Sequence, residues 1–110
     1  MHELAIAGGI LDIALQEAPA RKISAINLVI GELSSVVTEP VRFCFELIAA
    51  GTAAEGASLI VVRVPATLRC RHCSTEFGVD REGTCPSCGR QDSELVRGRE
   101  CYVDSIEVED

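Results

Sequence analysis

The stretch Cys70-Arg71-His72-Cys73, followed after eleven residues by Cys85-Pro86-Ser87-Cys88-Gly89, decides how the rest of this sequence is interpreted. Two Cys-x-x-Cys pairs at this separation offer four thiolates to one tetrahedral ion, with each pair on a tight turn. Pro86 and Gly89 suit such a turn, because proline fixes φ and glycine tolerates a positive φ just after the second cysteine. Four cysteines close the coordination shell, so the spacing predicts a structural zinc site rather than a catalytic one.

The same four cysteines have other interpretations. Two disulfides are one, and a redox dithiol is another, although neither pair has the strand and helix that surround a thioredoxin-like dithiol. Iron bound as in rubredoxin would make an electron-transfer protein, and the purified protein would then be red rather than colourless. His72, inside the first pair, is interpreted either as a surface residue or as an exchangeable ligand beside the zinc.

Length and charge limit the class of protein. The chain has 110 residues, of which 47% are hydrophobic, and a formal net charge of −7. This length fits one compact domain with a small module. Nucleic acids are normally bound by clusters of Lys and Arg, so we do not expect nucleic acid as a partner. A local exception is a small basic face on the zinc segment, formed by Arg69, Arg71, Arg81 and Arg90.

The sequence shows neither a secretory leader nor an apolar run of the roughly eighteen residues that a membrane span needs. We therefore expect a cytoplasmic protein with no membrane partner. Six cysteines are present, and the metal site accounts for four of them. Cys44 and Cys101 remain, and both are expected to be small apolar core residues, one on a helix and one at the start of a strand.

Hydrophobic periodicity predicts an α+β domain. Helical spacing of apolar residues predicts a first helix over residues 2–17, and a second from about Glu39-Pro40 to Gly51. Branched residues predict strands over residues 23–30 and 59–64, and alternation predicts a third over residues 101–108. The residues expected in the core of the second helix are Val41, Phe43, Phe45, Leu47 and Ile48.

The zinc segment interrupts this domain before the last strand. A zinc module of this kind enters and leaves at nearby points, so it fits as an insertion between two strands. We predict two helices packed on a small three-stranded sheet, with an inserted four-Cys zinc-ribbon-like module. The predicted domains are residues 1–66 with 96–110, and residues 67–95 for the module. Metal ligation must supply much of the module's folding free energy, because it has few large apolar side chains.

The N-terminal Met1-His2-Glu3 is a second chemical signal. Methionine is generally removed only before a small residue, so His2 should leave the Met1 amine in place. The amine, the imidazole and the deprotonated amides of His2 and Glu3 offer nitrogen donors in a near-plane, which suits Ni(II) or Cu(II). Alternatively, Glu3 binds through its carboxylate, or the histidine is only solvated.

The whole pattern resembles the HypA/HybF family of hydrogenase maturation nickel metallochaperones. The resemblance rests on Met1-His2-Glu3-Leu4 before a helix, Gly31-Glu32-Leu33, the two Cys pairs, and a closing strand through Val103-Asp104-Ser105-Ile106-Glu107-Val108. It implies a nickel domain of two helices on a three-stranded sheet, with a zinc domain inserted before the last strand. Matched residue by residue, it implies nickel ligands Met1, His2 and Glu3, and zinc ligands Cys70, Cys73, Cys85 and Cys88. His72 has no such match.

The resemblance also implies a function. It implies an accessory protein, not an enzyme, that carries Ni²⁺ as cargo, holds Zn²⁺ structurally, and is a monomer or weak homodimer. The implied partners are a nickel-handling, HypB-like maturation GTPase and the large subunit of a [NiFe]-hydrogenase. An alternative of another class is a zinc-ribbon module that binds nucleic acid or a transcription complex, which salt-dependent DNA retention would reveal. Independent catalysis is not expected, since no acid–base pair, nucleophile–base pair or phosphate loop is present.

Overall fold

A computed structural model describes residues 3–109 of the chain. The elements that were predicted from the sequence begin and end within two residues of their expected positions. The helices are α1 (Glu3–Glu17) and α2 (Thr38–Ala49), and a 3-10 turn covers Val79–Arg81. The strands are β1 (Ile23–Gly31), β2 (Ser58–Val64), β3 (Thr67–Cys70), β4 (Glu76–Gly78), β5 (Ser93–Arg97) and β6 (Cys101–Val108).

The described strands form two three-stranded sheets. The first has the order β2-β1-β6 and is the sheet that the sequence predicts. The second has the order β4-β3-β5, and its central strand places Leu68 opposite Phe77 of β4 and Leu95 of β5. The second sheet was not predicted, because strands of three to five residues are too short to show a clear alternation.

Contacts between residues divide the chain into two compact units. The helical unit comprises Met1–Val29, Ser35–Val62 and Cys101–Asp110. The cysteine unit comprises Ile30–Ser34 and Arg63–Glu100. Ile30–Ser34 is a short segment that precedes α2 in the chain. No sequence pattern assigns this segment to the metal module. The predicted bounds of the two domains stay a prediction.

The core of the helical unit is aliphatic apart from one aromatic ring, and its two helices pack against each other. The buried residues of α2 are Val41, Phe45 and Ala49, which are spaced four apart and share one face. Phe43 and Leu47 were predicted in this core, and that prediction is wrong because their side chains are 63% and 62% exposed. Since successive residues turn by about 100°, they face away from the buried stripe.

Other sequence expectations about burial also differ from the structure. The apolar residues whose helical spacing predicts α1 include Leu4, which is 59% exposed, whereas Ala7, Leu11 and Ala14 are buried. Cys101 is exposed, so its predicted place in the core is wrong: it begins β6, which lies at the edge of its sheet. Within the part of the chain that is described, neither helix has the length and apolar composition needed to cross a bilayer.

Two glycines of the cysteine unit meet backbone to backbone. A Cβ placed on Gly31 would lie 2.1 Å from the carbonyl oxygen of Gly98, a distance that no side chain tolerates. Gly98 itself has a φ of 128°, and its own Cβ would lie 2.7 Å from Cα of Ala66. The approach is fixed by the Leu33 N–H, which donates to the Gly98 carbonyl over 2.7 Å. Both positions therefore require glycine.

Glu32 ties the same segment to the chain that leaves β2. Its backbone N–H donates to the Val64 carbonyl over 2.8 Å. Its carboxylate Oε1 accepts a hydrogen bond of 2.7 Å from the Ala66 N–H. The stretch Gly31-Glu32-Leu33 thus has a structural role, in which its backbone and one carboxylate hold the entry to the cysteine unit.

Candidate metal centre

The four cysteine sulfurs converge on one point. They come from the end of β3, the turn after it, and the turn before β5, and their Sγ atoms all lie within 4.8 Å of one another. The Sγ atoms of Cys70 and Cys88 are 3.5 Å apart, and those of Cys73 and Cys85 are 3.4 Å apart. Tetrahedral zinc with bonds of about 2.3 Å needs sulfurs about 3.8 Å apart, so the donor set fits this ion. Among the described residues, it is the one cluster of this kind.

Both Cys pairs lie on turns with the same hydrogen bonds. In the first turn the Ser74 N–H donates to the Cys70 carbonyl over 3.0 Å, and in the second the Gly89 N–H donates to the Cys85 carbonyl over 2.9 Å. Backbone N–H groups also point at the sulfurs, since His72 N lies 3.4 Å from Cys70 Sγ. The matching contact of the second turn joins Ser87 N to Cys85 Sγ over 3.4 Å. Such N–H groups stabilise thiolates.

The residue after each second cysteine has a left-handed backbone. Gly89 has a φ of 76°, as predicted from its position after Cys88. Ser74 occupies the equivalent position after Cys73 with a φ of 64°. A non-glycine residue pays a small conformational cost there. The positive φ after the second cysteine is common to both turns. The second turn is less strained, because its residue at this position is glycine.

The two cysteines of each pair differ in exposure. Cys70 and Cys85, the first of each pair, are 1% and 2% exposed and pack with Phe77 and Leu68 in a small core. Cys73 and Cys88, the second of each pair, are exposed. Cys70 and Cys85 therefore anchor the cluster in the protein, whereas Cys73 and Cys88 lie on its solvent side.

Hydrogen bonds lower the pKa of two of the thiols. The Thr75 hydroxyl, with Oγ1 3.2 Å from Cys73 Sγ, is the main cause that lowers the pKa of Cys73 to about 6. The backbone N–H groups of Cys73 and His72 lower the pKa of Cys70. Both residues therefore favour the thiolate, which is the form that binds metal.

Cys88 behaves in the opposite way. The Arg90 backbone N–H lowers the pKa of Cys88, but loss of hydration and the neighbouring thiols outweigh it and raise the pKa to about 11. Like charges at this distance disfavour one another, so Cys88 keeps its proton near neutral pH when no cation is present. A divalent cation at the centre of the four sulfurs removes this repulsion, so metal binding stabilises their ionised form.

Two of the four arginines of the predicted basic face, Arg69 and Arg71, are paired with carboxylates. Glu76 accepts from Arg97 over 3.0 Å and from Arg69 over 3.3 Å. Hydrogen bonds from Arg97, which has the larger effect, and from Arg69 hold the pKa of Glu76 below its ordinary value. The guanidinium of Arg81 donates to the Thr84 carbonyl over 3.3 Å. An interface for nucleic acid gains no support from this arrangement.

His72 is not part of the four-sulfur cluster. Its side chain is exposed, and Nε2 lies 3.3 Å from Oδ2 of Asp92. Arg71 lies at 3.3 Å from the other oxygen of the same carboxylate, and the Arg71 N–H donates to the Asp92 carbonyl over 2.9 Å. Of its two interpretations, this geometry corresponds to the surface residue.

The predicted nickel ligands are only partly within the described residues. Met1 and His2 lie outside residues 3–109, so their assignment stays a prediction. Glu3 is the first residue of α1 and is half-buried. Sequence reasoning missed Thr75 and Asp92, which contact Cys73 and His72. The position of Thr75 two residues after a metal-ligand motif was the available signal for the first; no local pattern marked the second.

The fold and the donor set define a class: a small α+β protein that carries a closed four-thiolate metal centre in a separate unit. The model of one protein family, described as "Hydrogenase/urease nickel incorporation, metallochaperone, hypA", matches residues 1–108. The chain therefore belongs to the HypA family, which confirms the resemblance drawn from the sequence motifs. It is a nickel metallochaperone of hydrogenase maturation.

Relatives with the description "Hydrogenase maturation factor HypA" cover almost the full length. The one from Geobacter sulfurreducens is 46% identical over 110 residues, which span 99% of this chain and 100% of the relative. The one from Dehalococcoides mccartyi (strain ATCC BAA-2266 / KCTC 15142 / 195) is 43% identical, covering 100% of this chain and 96% of the relative.

Two solved structures share the fold. The solution structure of the Ni metallochaperone HypA from Helicobacter pylori has a TM-score of 0.65 at 23% identity, covering 98% of this chain and 97% of that one. A second solution structure of a HypA protein has a TM-score of 0.72 at 24% identity, covering 98% and 96%. The predicted α+β fold with an inserted four-Cys module is thereby confirmed.

Proposed function

We propose that this chain binds Ni(II) at Met1, His2 and Glu3 and releases it to hydrogenase, while Cys70, Cys73, Cys85 and Cys88 hold a structural zinc ion. The observation that carries the proposal is the family match over residues 1–108, together with the convergence of the four sulfurs within 4.8 Å. The first supports the role in maturation, and the second supports the zinc site.

The zinc is structural because the four sulfurs leave no position for water or cargo. The apolar core around them is small, with Phe77 and Leu68 beside the buried Cys70 and Cys85. A core of this size does not fold forty residues by hydrophobic burial alone, so metal ligation supplies the missing stability.

The start of α1 at Glu3 suits the proposed nickel ligands. The first four N–H groups of a helix have no partner within it, so the Glu3 amide breaks no helical hydrogen bond when it loses its proton to the metal. The Met1 amine, the His2 imidazole and two amide nitrogens then make a near-planar set, which Ni(II) prefers. Acidification weakens this binding because each donor must be deprotonated.

The partners and setting of this function are also proposals. We infer that a HypB-like nickel-handling GTPase cooperates with the chain, and that the large subunit of a [NiFe]-hydrogenase receives the nickel. The family's place in maturation supports both. We place this work in the cytoplasm, where thiols stay reduced, and assign the protein a carrier role without catalysis, as a monomer or weak homodimer.

The test is a calorimetric Ni(II) titration of the zinc-loaded protein with its native N-terminus. We expect binding of one Ni(II) per chain, which disappears when the N-terminus is extended or when His2→Ala is introduced. Folding and zinc content should not change in either variant. Tight binding that survives both changes would remove nickel from these residues, and DNA retention that depends on salt would favour the zinc-ribbon alternative.

A further inference from the structure

The outer edge of β6 lies beside an open groove in the helical unit. In the order β2-β1-β6 this strand is terminal, and within residues 3–109 no strand pairs with its other side. Its eight residues extend for about 26 Å. Alternate residues of an edge strand present unpaired N–H and C=O groups, which form a template for another extended chain.

Two adjoining depressions run along this edge between β6 and α1. One has a volume of about 450 Å³ and is lined by α1 and the residues after it together with Val103–Ile106 and Val108. The other, about 200 Å³, is lined by the first turns of α1, Leu28 and Cys101–Val103. Ile13 and Val103 line both, so the two form one continuous α1–β6 groove. Ile13 is 45% exposed and Tyr102 is 51% exposed, so apolar surface is available there.

The charge of the groove indicates what it binds. The helical unit holds ten Asp and Glu but only Arg21, Lys22 and Arg42 as bases, so it carries the whole net charge of −7. Glu17 and Asp104 line the groove itself; Arg21 also lines it. Lys22 donates to the Glu55 carbonyl over 2.6 Å. The lining thus has two acidic residues and one basic residue, in a unit with a net charge of −7. A partly apolar groove with this excess of negative charge is complementary to a chain that carries both basic and apolar side chains.

The same charges argue against a second copy of this chain. A twofold pairing of two β6 strands would bring two sets of Asp104 and Glu107 together, between two units that each carry seven excess negative charges. Like charges that face each other across a strand pair are destabilising. The occupant is therefore a different polypeptide.

We propose that the α1–β6 groove takes up an extended segment of a partner protein, rich in Lys or Arg and in β-branched residues, as a fourth strand beside β6. Main-chain hydrogen bonds to the edge give the affinity, and the contacts of alternate side chains give the specificity. Basic side chains of the segment lie opposite Asp104 and Glu17, and its apolar side chains pack on Ile13 and Ile106. This inference does not depend on where nickel binds.

The test uses zinc-loaded, nickel-free protein and three synthetic peptides. The first is an eight-residue peptide of valine and threonine with two central lysines, so that one lysine lies on each face of the added strand. The second has glutamate in place of lysine. The third repeats the lysine peptide with N-methylated backbone amides, which retain the side chains but remove the hydrogen-bond donors. Binding is followed by the amide resonances of the protein in NMR at physiological salt.

We expect the lysine peptide to shift the resonances of β6 and of α1 near Ile13, with saturation. The glutamate peptide and the N-methylated peptide should bind at least tenfold more weakly. Asp104→Lys should reverse the preference between lysine and glutamate. Glu46→Lys on α2 changes the net charge by the same amount and should change the affinity by less than about twofold. Asp104 and Glu46 are both exposed, so neither change should affect folding.

Several results would overturn the proposal. These are equal binding of the lysine and glutamate peptides, full affinity of the N-methylated peptide, or shifts that map to α2 or to the cysteine unit. Absence of any shift would count against it in the same way. A concentration-dependent dimer that broadens the β6 resonances would show that a second copy occupies this edge instead.

Discussion

The helical unit and the cysteine unit reach a folded state by different means. The helical unit contains most of the buried apolar residues of the described chain, among them Phe45. The cysteine unit has few buried apolar side chains, and it relies on turns, ion pairs and its metal donor set. These side chains are Ile30, Ala66 and the cluster of Cys70, Phe77 and Cys85. The comparison shows that one chain combines a core that burial of apolar surface stabilises with a module that depends on ligation.

The two units also differ in net charge. The cysteine unit contains seven arginines and seven acidic residues, whereas the helical unit carries the whole net charge. The four-cysteine site therefore belongs to a unit whose formal charge is zero before its thiols ionise. The acidic unit contains the N-terminal segment where a cation is proposed to bind, and its field favours cations in general.

Metal removal should separate the two units most clearly. Chelation of zinc, or Cys85→Ser, should unfold the cysteine unit, because four crowded sulfurs lose the cation that stabilises them, while the helical unit keeps its fold. The amide resonances of residues 67–97 should collapse to random-coil positions, and those of α1 should stay dispersed. Cys44→Ser is the control and should retain both units. Complete unfolding by chelation would show that the helical unit depends on the metal as well.

Two phenylalanines on one helix test the apolar core. Phe45→Ala removes a ring that is 1% exposed and should lower the free energy of unfolding of the helical unit by about 3–5 kcal/mol. Phe43→Ala, two residues away and mostly exposed, should lower it by less than about 1 kcal/mol. Urea denaturation followed by circular dichroism measures both. Equal losses would mean that the outer face of α2 is covered in solution.

The glycine contact tests the entry to the cysteine unit. Gly31→Ala places a Cβ 2.1 Å from the Gly98 carbonyl oxygen, so the backbone must move at a cost of about 3 kcal/mol. Gly9→Ala, in α1 with open space around it, is the matched control and should stabilise by roughly 0.5–1 kcal/mol. Thermal unfolding of the two variants should shift in opposite directions. A neutral Gly31→Ala would contradict the close approach.

The smallest expected effect is the pH-dependent contribution of Glu76 to stability. Its pKa is held below the ordinary value by Arg97 and Arg69, so its contribution to stability is present above the ordinary pKa and is lost as pH falls through the lowered one. Glu76→Gln should lower the melting temperature slightly at neutral pH, and the difference from wild type should vanish in acid. Glu82→Gln removes the same charge without these contacts and serves as the control. A difference that grows in acid would contradict this sign.

Local patterns in the sequence determined much of the fold and the metal centre. The Cys-x-x-Cys spacing favours a tight turn that brings both sulfurs of a pair to one side, and the sulfurs of Cys70, Cys73, Cys85 and Cys88 converge in the structure. Their role as zinc ligands stays a prediction. Helical and strand periodicity located both α-helices and three of the six strands of the described chain. The order of motifs also indicated the family, because it extends over the whole length.

Only the tertiary structure decided which apolar residues are buried and how the thiols ionise. Phe43 and Phe45 are equally apolar, but only one face of α2 is buried. Which face is buried depends on the elements that pack against the helix. The pKa values of Cys73 and Cys88 differ because Thr75 contacts one sulfur while lost hydration and other thiols surround the other. Gly31 needs to be glycine because Gly98, distant in sequence, touches it. Such properties depend on contacts between distant residues, whereas turn geometry and periodicity depend on neighbours along the chain.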